Sequence, residues 1–455
     1  MSGTMRKFRE WSPEQSVLFP VSPRDWLPEN HLVYFLLEVS AELDLEPLLQ
    51  KYAGELGGQP PFHPRMMLTL LLYSYCVGVF SSRKIAARCE TDIAFRVIVG
   101  GEIPDFRTIS EFRRRHLDSI QHLFVEVLRM CREAGLLKVG RVALDGTKVK
   151  ANASRHKAMS YDRMNSEEQR LEREIAELLQ QAQAADATDD ATLGDRRGDE
   201  LPDELGRREQ RLKKIRAAKA ALEEQARAKA AVDAAARKAE GRPPAKIAPQ
   251  DAVPDPKDQR NFTDPESRIM KTSNKGWDQC GNAQAVANEA QIILAADVTD
   301  QANDCRQVEP MIEQTCANLT VVEVPDQIDA FSTDAGYFSE ANVIALEAHE
   351  RIGEAYLAPG RLKHHQPLPA TPKGRIPKSL SVKERMARKL RTQRGRKEYA
   401  RRKAIIEPVF GQIKQCRGFR QFLMRGLNKM KAEWKLVCLT HNLLKLFRNA
   451  ARATT

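Results

Sequence analysis

The 455 residues predict an α/β protein with an all-helical N-terminal domain and a helical insertion. Three observations carry that prediction. Apolar residues recur at helical spacing over residues 24–135. A stretch rich in Ala, Glu, Lys, Arg and Gln occupies residues 158–260. From about residue 277 short apolar runs alternate with helical patterns, as strands and helices do in an α/β layout.

The N-terminal domain, residues 1–135, begins its helical part with HLVYFLLEVSAELDLEPLL, which ends near Pro47. HPRMMLTLLLYSYCVGVF follows, with Pro64 in a first turn, where the N–H that proline lacks would have no partner anyway. SSRKIAARCETDIAFRVIVGG stops at a glycine pair, and Thr108-Ile-Ser-Glu111 further on predicts a capping box. Two short helices, a glycine turn and a helix carrying Arg107, Arg113, Arg114 and Arg115 suggest a helix-turn-helix, with Arg113 and Arg114 as DNA contacts. A small bundle with a solvated basic face has the same pattern.

Within residues 136–157, Val142-Ala143-Leu144 predicts the first strand of the core, with Asp145 at its tip. A glycine and then Lys148, Lys150, Arg155 and Lys157 follow that acid. The insertion, residues 158–260, holds two helix-forming runs separated by an acidic break and closed by GRPPAKIAPQDAVPDPKDQ. It predicts a solvated helical hairpin that could be a spacer, a dimerisation arm or a clamp. Residues 261–455 complete the core. AQIILAADVT, VVEVPDQIDAFSTDAGYFS and EAYLAPG read as strands, and SEANVIALEAHE reads as a helix capped by Ser339. C-terminal helices end the chain.

Composition narrows the function. No apolar run approaches the ~18 residues a membrane span needs, and the N-terminus lacks a signal-peptide core, which predicts a cytoplasmic chain. The eight cysteines form no C-x-x-C pair, so a zinc ribbon or disulfide scaffold is not expected and most should be small core residues. The net charge of +12 is concentrated: residues 361–403 hold sixteen Lys/Arg against two Asp/Glu, leaving the remainder near −2. Such a patch points to a polyanion, DNA or RNA, with a ligand-free basic loop as the alternative. His116, His122 and His441 read as packed or solvated helix residues, and His364-His365 sit in a Pro-rich loop.

Asp334 repeats the situation of Asp145, at the end of an extended run before Ala335-Gly336. Two carboxylates at the tips of neighbouring strands repel unless a cation lies between them. Mg²⁺, which favours one or two carboxylates plus substrate phosphate, suits that role. A third acid, Glu407, lies in the most basic region, although Pro408 disfavours a helix continuing through it. Singly, each of these acids also reads as a turn or surface residue.

The stretches FRTISEFRRRHL, VALDGTKVKANASRHKAMSY, DPESRIMK, IILAADVTDQANDCRQVEPM, STDAGYFSEANV and IEPVFGQIKQCRGFRQFLMRGLNKMKAEWKLVCLTHNLLKL resemble those of bacterial insertion-sequence transposases of the DDE type, across roughly residues 25–448. The resemblance implies a ribonuclease-H-like core, a mixed sheet flanked by helices. It implies Asp145, Asp334 and Glu407 as the catalytic, metal-binding triad, with Tyr399, Arg402 and Lys414 as counterparts of the residues around the glutamate. Lys148, Lys150 and Lys403 join these as expected DNA contacts. One departure is QCGNAQAVAN, where relatives read roughly Q-G-Y-N-A-Q-A followed by an acid; Cys280-Gly281 and Asn288 stand here instead.

The implied chemistry is DNA transposition of the chain's own insertion sequence. Two Mg²⁺ ions (or Mn²⁺), about 3.5–4 Å apart, would promote hydrolysis at the element ends, and the freed 3′-hydroxyl would then attack target DNA. The implied partners are terminal inverted repeats and target DNA, with a homodimer in the reacting complex and association with the nucleoid when bound. Two rivals remain at this stage: Tyr399 as a recombinase-type nucleophile, and a catalytically inactive DNA-binding regulator derived from a transposase.

Overall fold

The computed structural model describes residues 22–52, 61–193, 203–239, 241–272, 276–360, 370–377 and 379–453. The chain divides into two compact units, residues 1–119 with 447–455, and residues 120–446. The division falls short of the boundary expected at 135. Residues beyond 119 are tied into the second unit: Gln121 accepts from Lys435 Nζ at 3.0 Å, and Arg132 donates to the Val322 carbonyl at 2.8 Å.

The first unit is helical: α1 (Leu32–Glu42), α2 (Glu46–Leu49), α3 (Pro64–Cys76), α4 (Ser82–Thr91), α5 (Ile93–Val99), α6 (Phe106–Arg115) and the start of α7 (Leu117–Glu133). Pro64 opens α3 as expected, and nearly all of that helix is buried. Pro47 does not end a helix but sits in the first turn of α2, where proline is tolerated. Asp92 separates α4 from α5 by accepting the Ala94 N–H at 3.0 Å. Gly100, at φ 58°, closes α5 in a left-handed conformation. The capping box expected at Thr108 is corrected. Asp105 caps α6, accepting from Arg107 N at 2.6 Å and Thr108 N at 2.8 Å, which puts Thr108 inside the helix. Arg113 is corrected too. It is 5% exposed, and its guanidinium donates to Tyr75 Oη at 3.1 Å and the Phe80 carbonyl at 3.0 Å, so it braces the bundle instead of meeting solvent. Arg114 is exposed and pairs with Glu111 at 2.7 Å.

The second unit is built on β1 (Arg141–Lys150), β4 (Arg268–Lys271), β5 (Trp277–Asn288), β6 (Ile293–Thr299), β7 (Ile328–Thr333) and β8 (Ile352–Leu357). The sheet order is β4-β5-β1-β7-β8, with β6 also paired to β5. β5 runs antiparallel to β1, β4 and β6, whereas β1, β7 and β8 are parallel, so the sheet is mixed. α13 (Gln393–Gly411) and the first turns of α14 (Leu427–Ala453) cover the face to which Asp145 points; α10 (Val308–Val321) and α11 (Glu340–Ala348) pack on β6 and β8 from the other side. α12 (Val382–Arg391) packs beside α11 and α13.

Strand β5 was not expected, because Ala, Gly and Asn are poor strand formers. Small residues line its helix-covered face, and a Cβ at Gly281 would come within 2.8 Å of Val298 and 3.2 Å of Phe422. The polar Asn282 and Gln284 alternate onto the other face.

The insertion forms a hairpin of α8 (Tyr161–Leu193) and α9 (Asp203–Ala239), entered and left through the short pair β2 (Ala158–Ser160) and β3 (Gln259–Asn261). Met164, Leu171, Leu212, Ile215 and Leu222 form its own core. Arg208, Arg216 and Lys219 of α9 pair with Glu174, Glu168 and Glu172 of α8. Asp264 and Glu266 of DPESRIMK accept from the Gly426 and Leu427 amides at the start of α14, at 3.3 and 2.8 Å. None of the eight cysteines is in a disulfide; Cys76, Cys89, Cys131, Cys280 and Cys438 are buried, while Cys416 is exposed. Among the described residues no helix is long and apolar enough to cross a membrane.

Candidate catalytic site and DNA-binding surface

Asp145 does not lie at a strand tip. β1 continues through it to Lys150, held by β5 along its whole length, with Asp145 opposite Ala285. Asp334 does end a strand: Leu144 pairs with Thr333, and Asp334 then caps the turn Ala335–Tyr337 by accepting the Gly336 N–H at 2.8 Å. The parallel pairing of β1 and β7 brings the two acids together although 189 positions separate them in the chain. Burial raises the Asp145 carboxyl to about 6; Arg402 pulls it down and the charge of Asp334 pushes it up.

Glu407 comes from α13, which runs unbroken from Gln393 to Gly411 with Pro408 inside it, contrary to the expected interruption. Proline leaves the carbonyl four residues back, that of Ala404, without its helical partner. Gln291 repairs this by donating from Nε2 to the Ala404 carbonyl at 3.0 Å. Its Oε1 in turn accepts from Gln412 and Lys445, at 3.1 and 2.6 Å. Gln291 reaches that point from a tight turn between β5 and β6, at φ 62°.

Arg402, one turn before Glu407, lies between the acids. Its Nη1 is 3.0 Å from Asp145 Oδ2 and its Nη2 is 3.5 Å from Glu407 Oε1. The Arg402 side chain is 10% exposed and that of Glu407 53%. Among the described residues no three metal-ligating side chains converge on one point. What the fold assembles is a carboxylate pair, Asp145 and Asp334, with Glu407 joined to it through a guanidinium. Two oxygen donors on rigid elements suit a hard divalent cation whose remaining ligands are water and phosphate. The pair therefore suits such an ion, while Arg402 stands between Asp145 and Glu407.

The expected DNA contacts divide into two groups. Lys148 pairs with Asp304 at 3.0 Å and Lys150 with Asp278 at 2.9 Å. Lys414 follows α13 in a π-helical turn (Gln412–Cys416) and donates to Thr147 Oγ1 at 2.8 Å and the Lys148 carbonyl at 3.0 Å. Burial, and then Arg420, lowers its ammonium pKa. Several arginines of the basic segment form surface ion pairs: Arg385 with Glu347, Arg394 with Glu354, Arg401 with Glu289. Lys397 and Lys403 are exposed on α13. Residues 361–369, with His364-His365, lie outside the described residues. Tyr399 is half-buried beside Arg402; burial raises its phenol pKa, Arg402 opposes this, and Asp334 and Asp145 add to it.

Residues 21–115 match a family model described as a transposase domain (DUF772), and residues 373–447 match that of a transposase DDE domain. Both stretches thus resemble transposase domains, the second of the DDE type, in line with the resemblance read from the sequence. No curated protein and no solved structure matches it. A transposase acts on DNA, and a DDE domain implies an enzyme dependent in general on divalent metal. The first match covers the helical bundle, and the second covers α12, α13 and most of α14, with Arg402 and Glu407.

Sequence reasoning missed Asp304, Asn282, Gln284 and Tyr337, which join in one polar network behind Asp145. The alternation of polar residues in β5 was the available signal. Asn288 is wholly buried; it donates to the Leu136 and Lys138 carbonyls, at 2.9 and 3.0 Å, and accepts from Ile292 N. An aspartate there would lose both donors, so Asn288 serves here as a brace of the turn.

Proposed function

We propose that the chain catalyses transposition of its own insertion sequence on a ribonuclease-H-like core, with Asp145, Asp334 and Glu407 as the catalytic acids. The observation that carries this is the side-by-side pairing of β1 and β7, which seats Asp145 against Asp334 under α13. A sheet antiparallel on one side of β1 and parallel on the other, with helices on both faces, supports the fold reading.

Asp145 and Asp334 would hold Mg²⁺ or Mn²⁺, which when bound polarises the scissile phosphate and stabilises the leaving oxygen. Arg402 neutralises the carboxylates in the free protein and is the guanidinium nearest to an incoming phosphate, where bidentate contact is available to it. Glu407, exposed at the rim, completes the acidic set when Arg402 turns to DNA. Water attacks the phosphodiester at the element end, the P–O bond to the 3′ oxygen breaks, and a 3′-hydroxyl is released. That hydroxyl then attacks a target phosphodiester and displaces its 3′ oxygen. Lys397, Lys403 and Arg114 face solvent as phosphate contacts, and joining two ends calls for a homodimer.

A second reading, a DNA-binding regulator without chemistry, draws on the ion pairs of Arg402 with two of the three acids. Cleavage of duplexes carrying the element's own ends separates the readings. Mg²⁺- or Mn²⁺-dependent nicking is expected, lost to background in Asp145→Asn, Asp334→Asn and Glu407→Gln, with DNA binding retained. Cutting by the triple variant would refute the catalytic assignment.

A further inference from the structure

We propose that Tyr337, Gln284 and Asp304 form a polar brace on the far face of the sheet, and that this brace sets the spacing of the Asp145–Asp334 pair. The inference rests on the reading of that pair as the cation site.

Successive residues of a strand point to opposite faces. Asp145 points to α13, so Gly146 points away from it, toward its β5 partner Gln284. The Tyr337 hydroxyl donates to Gln284 Oε1. Gln284 Nε2 donates to Asp304 Oδ1 at 3.0 Å and to Asn282 Oδ1 at 2.9 Å. The same Asp304 oxygen accepts from Asn282 at 2.6 Å and from Lys148 at 3.0 Å. Tyr337 and Gln284 are wholly buried. A buried network with its partners in place is rigid and specifies one arrangement, because any slippage leaves polar groups unpaired.

Each end of the brace touches one of the acids through the chain. Tyr337 closes the turn that Asp334 caps, so anchoring the phenol anchors that carboxylate. Gln284 stands opposite the residue after Asp145. Position 146 records the arrangement: a Cβ there would overlap Gln284 Nε2 and lie 3.0 Å from Tyr337 Oη and 3.1 Å from Asp304 Oδ1. The glycine after Asp145 thus leaves room for the brace. Two adjacent carboxylates repel, and a rigid support behind them opposes their drifting apart. Tyr337, Gln284 and Asp304 are positioning residues.

The test uses the metal-free full-length chain and Mn²⁺ binding followed by electron paramagnetic resonance, with no DNA present. Wild type should bind, and Asp145→Asn should not. Tyr337→Phe removes one buried hydroxyl and Asp304→Asn one charge at a partly exposed position. Each should raise the Mn²⁺ dissociation constant about tenfold, as loss of a supporting contact behind a metal ligand does. The double variant should be no worse than the weaker single one, and near-ultraviolet circular dichroism should stay that of wild type. Binding within twofold of wild type in both variants, or loss of the native spectrum in both, would overturn the brace. Wild type that binds no Mn²⁺, or Asp145→Asn that binds as well, would instead overturn the reading of the carboxylate pair, and the brace with it.

Discussion

A single buried carboxylate shows how the fold tunes the site. Asp145 carries a raised pKa of about 6 against an ordinary 3.8, chiefly because burial disfavours the charge. The native state therefore holds this proton more tightly than the unfolded chain. The group's contribution to stability is fully present below about 3.8 and is lost as pH rises through about 6. Cation binding needs the ionised form and so has the opposite pH preference. Apparent Mn²⁺ affinity should fall about tenfold per pH unit below about 6, with one proton released per ion; titration calorimetry in buffers of different ionisation enthalpy measures both. Arg402→Gln removes the cation that holds the Asp145 pKa down, so the same midpoint should move to higher pH.

Within an element, the continuity of α13 depends on a residue far away in sequence. Pro408 removes the helical donor to Ala404, and Gln291 replaces it. Gln291→Ala should cost about 0.5–1.5 kcal/mol in urea unfolding, the net worth of a typical hydrogen bond. The cost should shrink in a Pro408→Ala background, where the backbone supplies the bond again; full additivity of the two changes would contradict this account. In the bundle, His116 is wholly buried against Tyr52, 3.1 Å from its hydroxyl, and burial followed by Lys51 and Arg115 lowers its pKa to about 4. Its folded pKa lies below the unfolded 6.5, so stability is present above 6.5 and is lost as pH falls toward 4. A His116→Phe variant should flatten that part of the acid unfolding curve.

At the scale of the whole chain, charge is a poor guide to where DNA lies. Arg385, Arg394, Arg401 and Arg402 of the basic segment each pair with a nearby carboxylate, so the segment's charge is locally offset there. Lys397→Ala and Lys403→Ala should each lower the salt slope of DNA binding by about 0.9, as loss of one phosphate contact does. The α8–α9 hairpin has its own core, and Ser160 pairs directly with Gln259 at its base. Replacing residues 162–257 by a short glycine-rich turn should therefore leave Mn²⁺ binding within about twofold of wild type, since no residue of the carboxylate pair or the brace is removed. Loss of the native fold in that variant would show the hairpin to be integral to the core.

By itself the sequence determined the helical bundle, the hairpin, strands β6 to β8, the Ser339 cap and the likeness to transposase domains, because each is written in a local period or a contiguous motif. It also singled out Asp145, Asp334 and Glu407 as residues. Local patterns did not disclose β5, whose small and polar residues make sense only between two packed layers. Nor did they show that Arg113 turns inward, that Gln291 mends α13, or that Arg402 separates the acids. Those facts depend on which distant side chains share a low-dielectric space, and only the packing of strand against strand and helix against sheet decides that.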